Sequence, residues 1–257
     1  MMDESFSYSD LVSYWECPRK LSYRKAGWRL PNPNFPILRG TYTHKGVAAK
    51  WSGEDPGAAI DEACADTLEL LISSHIDDAT PVQQAADDAK LFVSRYFNGK
   101  GKDIKPISVE ESLYYIEGKY KLRGTPDCVG YLDGQLTVFD VKTGRDPNIR
   151  YLSHTGQADW YAYLWGVNHG ELPALVSYEI ISPNYITRHT RPPRVSQAQY
   201  FEEAMKNVAL WDNEHLRQTP NYTYQCARCP YLPACHTLDE GGDEEEILLS
   251  KFYLEVQ

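Results

Sequence analysis

Two β-rich runs, 119–132 and 135–142, are separated by Asp133-Gly134 alone. A two-residue Asp-Gly loop is a strong hairpin signal, because both central positions take the left-handed backbone that these residues tolerate. With that pair as the loop, Leu132 faces Gln135, Tyr131 faces Leu136 and, further out, Asp127 faces Asp140. Lys142 then lies two residues along the same face as Asp140. Like charges directly opposite on a sheet repel. Two carboxylates about 4.5–5.5 Å apart by backbone need a cation between them, or must share a proton. Hard oxygen ligands of this kind suit Mg²⁺ or Mn²⁺. A lysine beside them could orient or deprotonate a water, or hold a phosphate. The plain alternative is an exposed hairpin with its charges in solvent, and a slip of one residue would separate the two faces.

The rest of the chain supplies helices around those strands. Residues 9–25 read as two short helices broken at Pro18, with Ser9 as a candidate N-cap. Residues 30–37 form a Pro/Asn-rich connection. Helices are expected at 41–51, 57–75 and 82–98, the last ending at Asn98-Gly99, then strands at 107–117, 119–132 and 135–142. A helix at about 150–167, strands at 174–181 and 185–190 and a helix at 196–216 follow, and then a Cys-bearing loop, an acidic stretch and a short apolar end. This order predicts an α/β fold with a central mixed sheet flanked by helices.

The hairpin carries a written motif: Pro126-Asp127, twelve residues, then Asp140-Val141-Lys142. It resembles the signature of the PD-(D/E)xK nuclease superfamily, and the flanking text, RGTPDCVGYLDG and LTVFDVKTG, is similar to the RecB-like branch. His44, four residues after Gly40, resembles that branch's upstream Gly-x-x-x-His element. Gln157 and Tyr161, at i and i+4 on one helix face, match its Gln-x-x-x-Tyr motif. Glu110 resembles a further acid at the start of the preceding strand. Taken alone, His44 reads as a surface or capping residue and Gln157 with Tyr161 as an ordinary helix pair. The resemblance implies a restriction-endonuclease-like core in which His44, Asp127, Asp140 and the carbonyl of Val141 hold Mn²⁺ or Mg²⁺. It implies that Lys142 serves the reacting water or phosphate, and that Gln157 and Tyr161 hold the DNA strand.

Six cysteines are present. Cys226-x2-Cys229-x5-Cys235 is a tight cluster of thiols, which can grip one metal centre from a turn. A fourth ligand is then needed, and Cys17 in WECPRKLSYRK is the candidate. One distant cysteine followed by C-x2-C-x5-C resembles the iron–sulfur subset of the RecB-like nucleases, which includes the AddB nuclease domain and the CRISPR-associated exonuclease Cas-four. The resemblance implies a [4Fe–4S] cluster on Cys17, Cys226, Cys229 and Cys235 that staples the N- and C-terminal segments together. A structural zinc site with four cysteine ligands is the rival, and free structural thiols are the other alternative. Cys64 and Cys128 read as small packed hydrophobes.

The net charge is −10, from 26 basic and 36 acidic residues, which speaks against indiscriminate binding to nucleic acid but leaves room for a focused basic groove. Ten acids and no Lys or Arg fall within 51–89, six more acids lie in 239–246, and a basic stretch runs from Arg19 to Arg29. The acid runs read as a solvated helix face and a disordered tail. The basic stretch is a candidate phosphate contact, with Tyr14, Trp15, Tyr23 and Trp28 as base-stacking or core residues. No apolar run nears the roughly 18 residues a membrane span needs, and the start lacks a signal-peptide pattern, so a cytoplasmic protein is expected.

The whole is read as one nuclease domain over 1–257: a helical, acidic insertion at about 51–98, a core at about 105–190, a cluster-binding part at about 196–236 and an acidic tail at 237–250. By the resemblance it is a DNA exonuclease on single-stranded ends, running 5′→3′. Partners in recombination, replication or CRISPR adaptation, and assembly into oligomers, are conceivable. A structure-selective endonuclease and a non-catalytic DNA-binding adaptor are the alternatives.

Overall fold

The structure is a computed structural model and describes residues 5–29, 35–73, 79–144 and 155–254. Its N-terminal part holds the short strand β1 (Phe6–Ser7), helices α1 (Tyr8–Glu16) and α2 (Pro18–Lys25), and strand β2 (Trp28–Arg29). Ser7, rather than Ser9, caps α1: its hydroxyl accepts from the Asp10 N–H while the Asp10 carboxylate accepts from the Ser7 N–H. Pro18 opens α2, where a missing N–H costs nothing.

Helices α3 (Phe35–Trp51), α4 (Pro56–Ser73) and α5 (Thr80–Asn98) follow. Helix α3 starts well before residue 41, so residues 35–37 of the expected connection are its first turn, with Pro36 where a proline is tolerated. The rest of that connection, 30–34, and residues 74 and 75 of the expected 57–75 helix lie outside the described residues.

Both long expected strands split. The run 107–117 is β3 (Lys105–Val109) and β4 (Leu113–Glu117), separated where Glu110 adopts a left-handed backbone at φ 48. The run 119–132 is β5 (Tyr120–Gly124) and β6 (Cys128–Leu132), interrupted at Pro126, which has no N–H for a ladder. Strand β7 (Gln135–Thr143) completes the hairpin, with Asp133 at φ 50 and Gly134 at φ 78 in the turn. Helix α6 (Gln157–His169), strands β8 (Leu175–Ile181) and β9 (Ile186–Arg191), and helix α7 (Val195–Val208) come next. The expected start of α6 near 150 falls outside the described residues. The expected 196–216 helix breaks at Asp212, which caps a separate α8 (Asn213–Arg217) by accepting from the His215 N–H. Helices α9 (Leu232–Asp239) and α10 (Glu244–Lys251) and strand β10 (Tyr253–Leu254) end the described chain.

The chain divides into two compact units. The first, 33–115 with 123–199, holds a five-stranded sheet in the order β3-β6-β7-β8-β9. Strands β7 and β8 are parallel and joined through α6; the other neighbours are antiparallel. Strand β7 is central, and Leu136 to Val141 are buried, which explains its near-continuous apolar run. Helices α3, α4 and α5 pack Tyr42, Val47, Trp51, Ile60 and Phe92 with Phe139, Val141 and Cys128 of the sheet. The acidic 51–89 segment therefore has an apolar side within the core, where Cys64 is also buried.

The second unit comprises 1–32, 116–122 and 200–257. Its core is Tyr23, Trp28, Tyr231, Ala234, Leu248 and Phe252. The expectation of a disordered tail is corrected here. Phe252 stacks on Tyr231 with ring centres 4.8 Å apart, β10 pairs antiparallel with β2, and Glu244 is buried in an ion pair with Arg217 at 2.6 Å. Segment 237–250 is mostly helix with one apolar side, which its run of acids conceals. The basic stretch is largely spent internally as well. Arg19 is buried and donates to the Arg217 carbonyl, Asp239 and the Cys235 Sγ. Tyr23 and Trp28 are core residues, Tyr14 packs edge-on to Trp211, and Trp15 alone of the four aromatics is exposed. Among the described residues, no helix is long and apolar enough to cross a membrane.

Candidate active site

The register of the hairpin fixes the site. Cys128 pairs with Phe139, Val129 with Val138 and Leu132 with Gln135, the alignment that sets Asp127 against Asp140. Asp127 lies just before β6, and its Oδ2 accepts from the Val141 N–H at 2.6 Å. Its Oδ1 accepts from Nδ1 of His44, on α3, at 2.9 Å. On β7, Asp140 is 2% exposed and accepts from Lys142 Nζ at 2.9 Å. The same ammonium donates to Gln157 Oε1 at 2.9 Å, and Gln157 Nε2 donates to the Tyr161 hydroxyl at 2.8 Å. Two hydrogen-bonded runs, His44–Asp127–Val141 and Asp140–Lys142–Gln157–Tyr161, are thus tied together by three consecutive residues of one strand. Gly124 makes room for this arrangement: a Cβ there would stand 2.8 Å from the Tyr161 ring.

Charge follows geometry. Burial alone would raise the Asp127 carboxyl, but His44, Lys142 and the Val141 N–H outweigh it and hold its pKa below the usual carboxylate value. Asp140 shifts the other way, because burial and the Asp127 charge together outweigh Lys142 and His44. Two like charges this close do not ionise independently. Burial would lower His44 and Lys142, yet the carboxylates raise both, Asp127 acting on His44 and Asp140 most strongly on Lys142. Burial raises the Tyr161 phenol, and the two aspartates add to it.

The sequence model of the PD-(D/E)XK nuclease superfamily matches residues 5–236. The chain belongs to that superfamily. A crystal structure from Eubacterium rectale, of a protein provisionally assigned as an exonuclease, shares the fold at a TM-score of 0.60 and 14% identity, over 90% of this chain and 87% of that one. The structure of SSO0001 aligns at a TM-score of 0.43 and 16% identity, over 89% of this chain and 84% of that one. No curated protein sequence matches the chain.

Within this nuclease fold, the residue types around the hairpin suit a divalent cation. Imidazole and carboxylate are donors for Mn²⁺ or Mg²⁺. Asp140 Oδ2 is buried and accepts no hydrogen bond, although Lys142 Nζ lies 2.8 Å from it. Both Asp127 oxygens are engaged, but each keeps a second lone pair. As they stand, no three His, Cys, Asp or Glu side chains among the described residues converge closely enough to hold a metal ion.

Glu110 is exposed at the end of β3 and has no hydrogen bond to these carboxylates; its backbone N–H donates to the Asp127 carbonyl at 3.2 Å. Its connection to the site therefore runs through the main chain. Sequence reasoning missed a second set of groups. Asp159, on α6 between Gln157 and Tyr161, is buried and accepts from both Arg191 and Arg194. The Tyr178 hydroxyl donates to the Thr155 carbonyl at 3.2 Å. An acid in an apolar helix signals a buried partner, but only the fold says which arginines supply it.

In the other unit, Cys17, Cys226, Cys229 and Cys235 all line one cavity of about 620 Å³. Cys17 precedes α2, Cys226 and the turn ending at Cys229 lie on a 3₁₀ segment (Tyr224–Arg228), and Cys235 is on α9. Burial raises the Cys229 thiol; the Tyr231 N–H and Lys20 oppose it, and Cys17 and Cys226 add to it. Four thiols on one cavity fit a tetrathiolate centre in donor type, although they do not converge into a ligand set here.

Proposed function

We propose that this nuclease is a metal-dependent DNA exonuclease of the RecB-like branch, preferring single-stranded ends and running 5′→3′. The observation that carries the reading is the pair of hydrogen-bonded runs joined through Asp140-Val141-Lys142. His44, Asp127, Asp140 and the carbonyl of Val141 would hold Mn²⁺ or Mg²⁺. When bound, the ion supplies Lewis-acid stabilisation of the scissile phosphate and activation of water. Lys142, oriented by Asp140 and Gln157, presents an ammonium to the phosphate or the attacking water. Gln157 and Tyr161, locked to each other, bound the strand on the α6 side. A packed binding protein has no need for a buried carboxylate opposed to a half-buried one, which favours catalysis over a pure adaptor role.

A [4Fe–4S] cluster on Cys17, Cys226, Cys229 and Cys235 belongs to the same proposal. Its support is the cavity the four thiols share and the chemistry of the donors. Cluster and zinc are separated by colour, iron and acid-labile sulfide in protein purified without oxygen. Brown protein with four irons per chain is expected; colourless protein with one zinc would replace the cluster by a zinc site on the same four thiolates.

End-labelled linear single strands and a single-stranded circle test the activity. Release of 5′ label first, with the circle intact, is expected. Cleavage of the circle would make the protein an endonuclease, and retention of DNA without cleavage would favour the adaptor.

A further inference from the structure

A second polar cavity lies in the sheet-bearing unit. It measures about 500 Å³ and is lined by Phe35 and Arg39 of α3, Gln84 and Asp88 of α5, and Pro183 and Asn184 between β8 and β9. Its volume falls in the roughly 300–1,000 Å³ range of small-molecule sites.

Arg39 is 7% exposed. Its guanidinium carbon sits 5.3 Å from the Phe35 ring centre and 5.2 Å from that of Phe92, within cation–π range of both. Arg39 Nε is buried with no hydrogen-bond partner, and Nη1 is only loosely paired with Asp88, at 3.5 Å. The Gln84 and Asn184 carboxamides have no hydrogen-bond partner among the described residues. The turn that carries Asn184 is rigid: Ser182 Oγ accepts from the Asn184 and Tyr185 N–H groups, and Arg95 donates to the Pro183 carbonyl.

These groups select a ligand class. Asp88 already balances Arg39, so a free phosphate would meet a carboxylate with no surplus positive charge. A planar ligand carrying both donors and acceptors matches what remains: an aromatic ring, two carboxamides and a carboxylate. Arg39 and His44 share α3, five residues or about 7.5 Å of helix axis and about 140° of rotation apart, Arg39 turned to α5 and His44 to Asp127. We infer that this cavity takes a nucleobase of the bound DNA strand, an inference that rests on the nuclease reading for the identity of the strand.

The test is equilibrium binding of a labelled single strand to the full chain in EDTA, with an abasic residue moved one position at a time along the strand. Expected is one position at which losing the base weakens wild-type binding about tenfold, and disappearance of that dip in the Gln84→Ala/Asn184→Ala double variant. Both side chains are exposed at the cavity mouth, so the variant should fold. If it does not, Phe35→Leu is read on the same scan, with the same loss expected. No binding, uniform affinity along the wild-type scan, or a dip that persists in the folded variant would overturn the inference. Cleavage of the intact strand is followed separately with Mn²⁺; its absence would count against the nuclease reading, while the scan decides the pocket.

Discussion

In the sheet-bearing unit, His44, Asp127, Asp140, Lys142, Gln157 and Tyr161 are locked into place by hydrogen bonds of 2.6–2.9 Å. In the other unit, four cysteines face one cavity without converging, held by helix ends and a 3₁₀ turn. The first set is positioned by strand pairing, whose period leaves each side chain one face to occupy. The second is positioned by loop and helix-end packing, for which no such rule exists. A site built on a sheet is preorganised before any ligand arrives, whereas a thiol site takes much of its order from the metal it binds.

That contrast can be broken from the sheet side first. Asp140→Asn leaves Lys142 without its carboxylate and should cut metal-dependent cleavage about 10²–10³-fold, with the thermal midpoint nearly unchanged. A large stability loss with normal activity per folded molecule would make Asp140 structural. In the second unit, Phe252→Ala removes the ring stacked on Tyr231 and should cost about 3–5 kcal/mol, read by denaturant unfolding. An unchanged midpoint would return the C-terminal segment to solvent.

Two smaller effects sharpen the comparison within each unit. Tyr96 donates to the buried Glu179 at 2.9 Å, and Glu179 is also held by Ser177 and Arg188. Tyr96→Phe should cost about 1.5–3 kcal/mol, the worth of a hydrogen bond to a carboxylate paired with Arg188, and a neutral substitution would mean that Ser177 and Arg188 hold Glu179 without it. Ser7→Ala removes the α1 cap and should cost about 1 kcal/mol; a loss near zero would mean that Asp10 alone suffices.

Legibility in the sequence followed the same division. Asp133-Gly134 predicts the hairpin turn and its register, and from these follow the opposition of Asp127 to Asp140 and the placement of Lys142. Pro18 and Gly99 mark helix limits correctly, because their effect is local. Glu110 is different: a glutamate rarely takes a left-handed backbone, so the break between β3 and β4 has no sequence signal. Arg19 reads as a surface cation until Asp239 and Cys235 are seen around it. The run of acids near 243 hides Leu248 and Phe252, whose burial depends on Tyr23, Trp28 and Tyr231 far away in the chain. Asp159 likewise needs Arg191 and Arg194, which only the pairing of β8 with β9 brings into reach.

The central claim is that Asp127, Asp140 and Lys142 form a metal-dependent nuclease centre. Its most direct test follows a labelled linear single strand with wild type and Lys142→Ala, each in Mn²⁺ and in EDTA, with strand binding measured alongside. Loss of the strand only with wild type and Mn²⁺, while the variant still binds, is the predicted result. Equal cleavage by the variant, or cleavage that survives EDTA, would contradict the account.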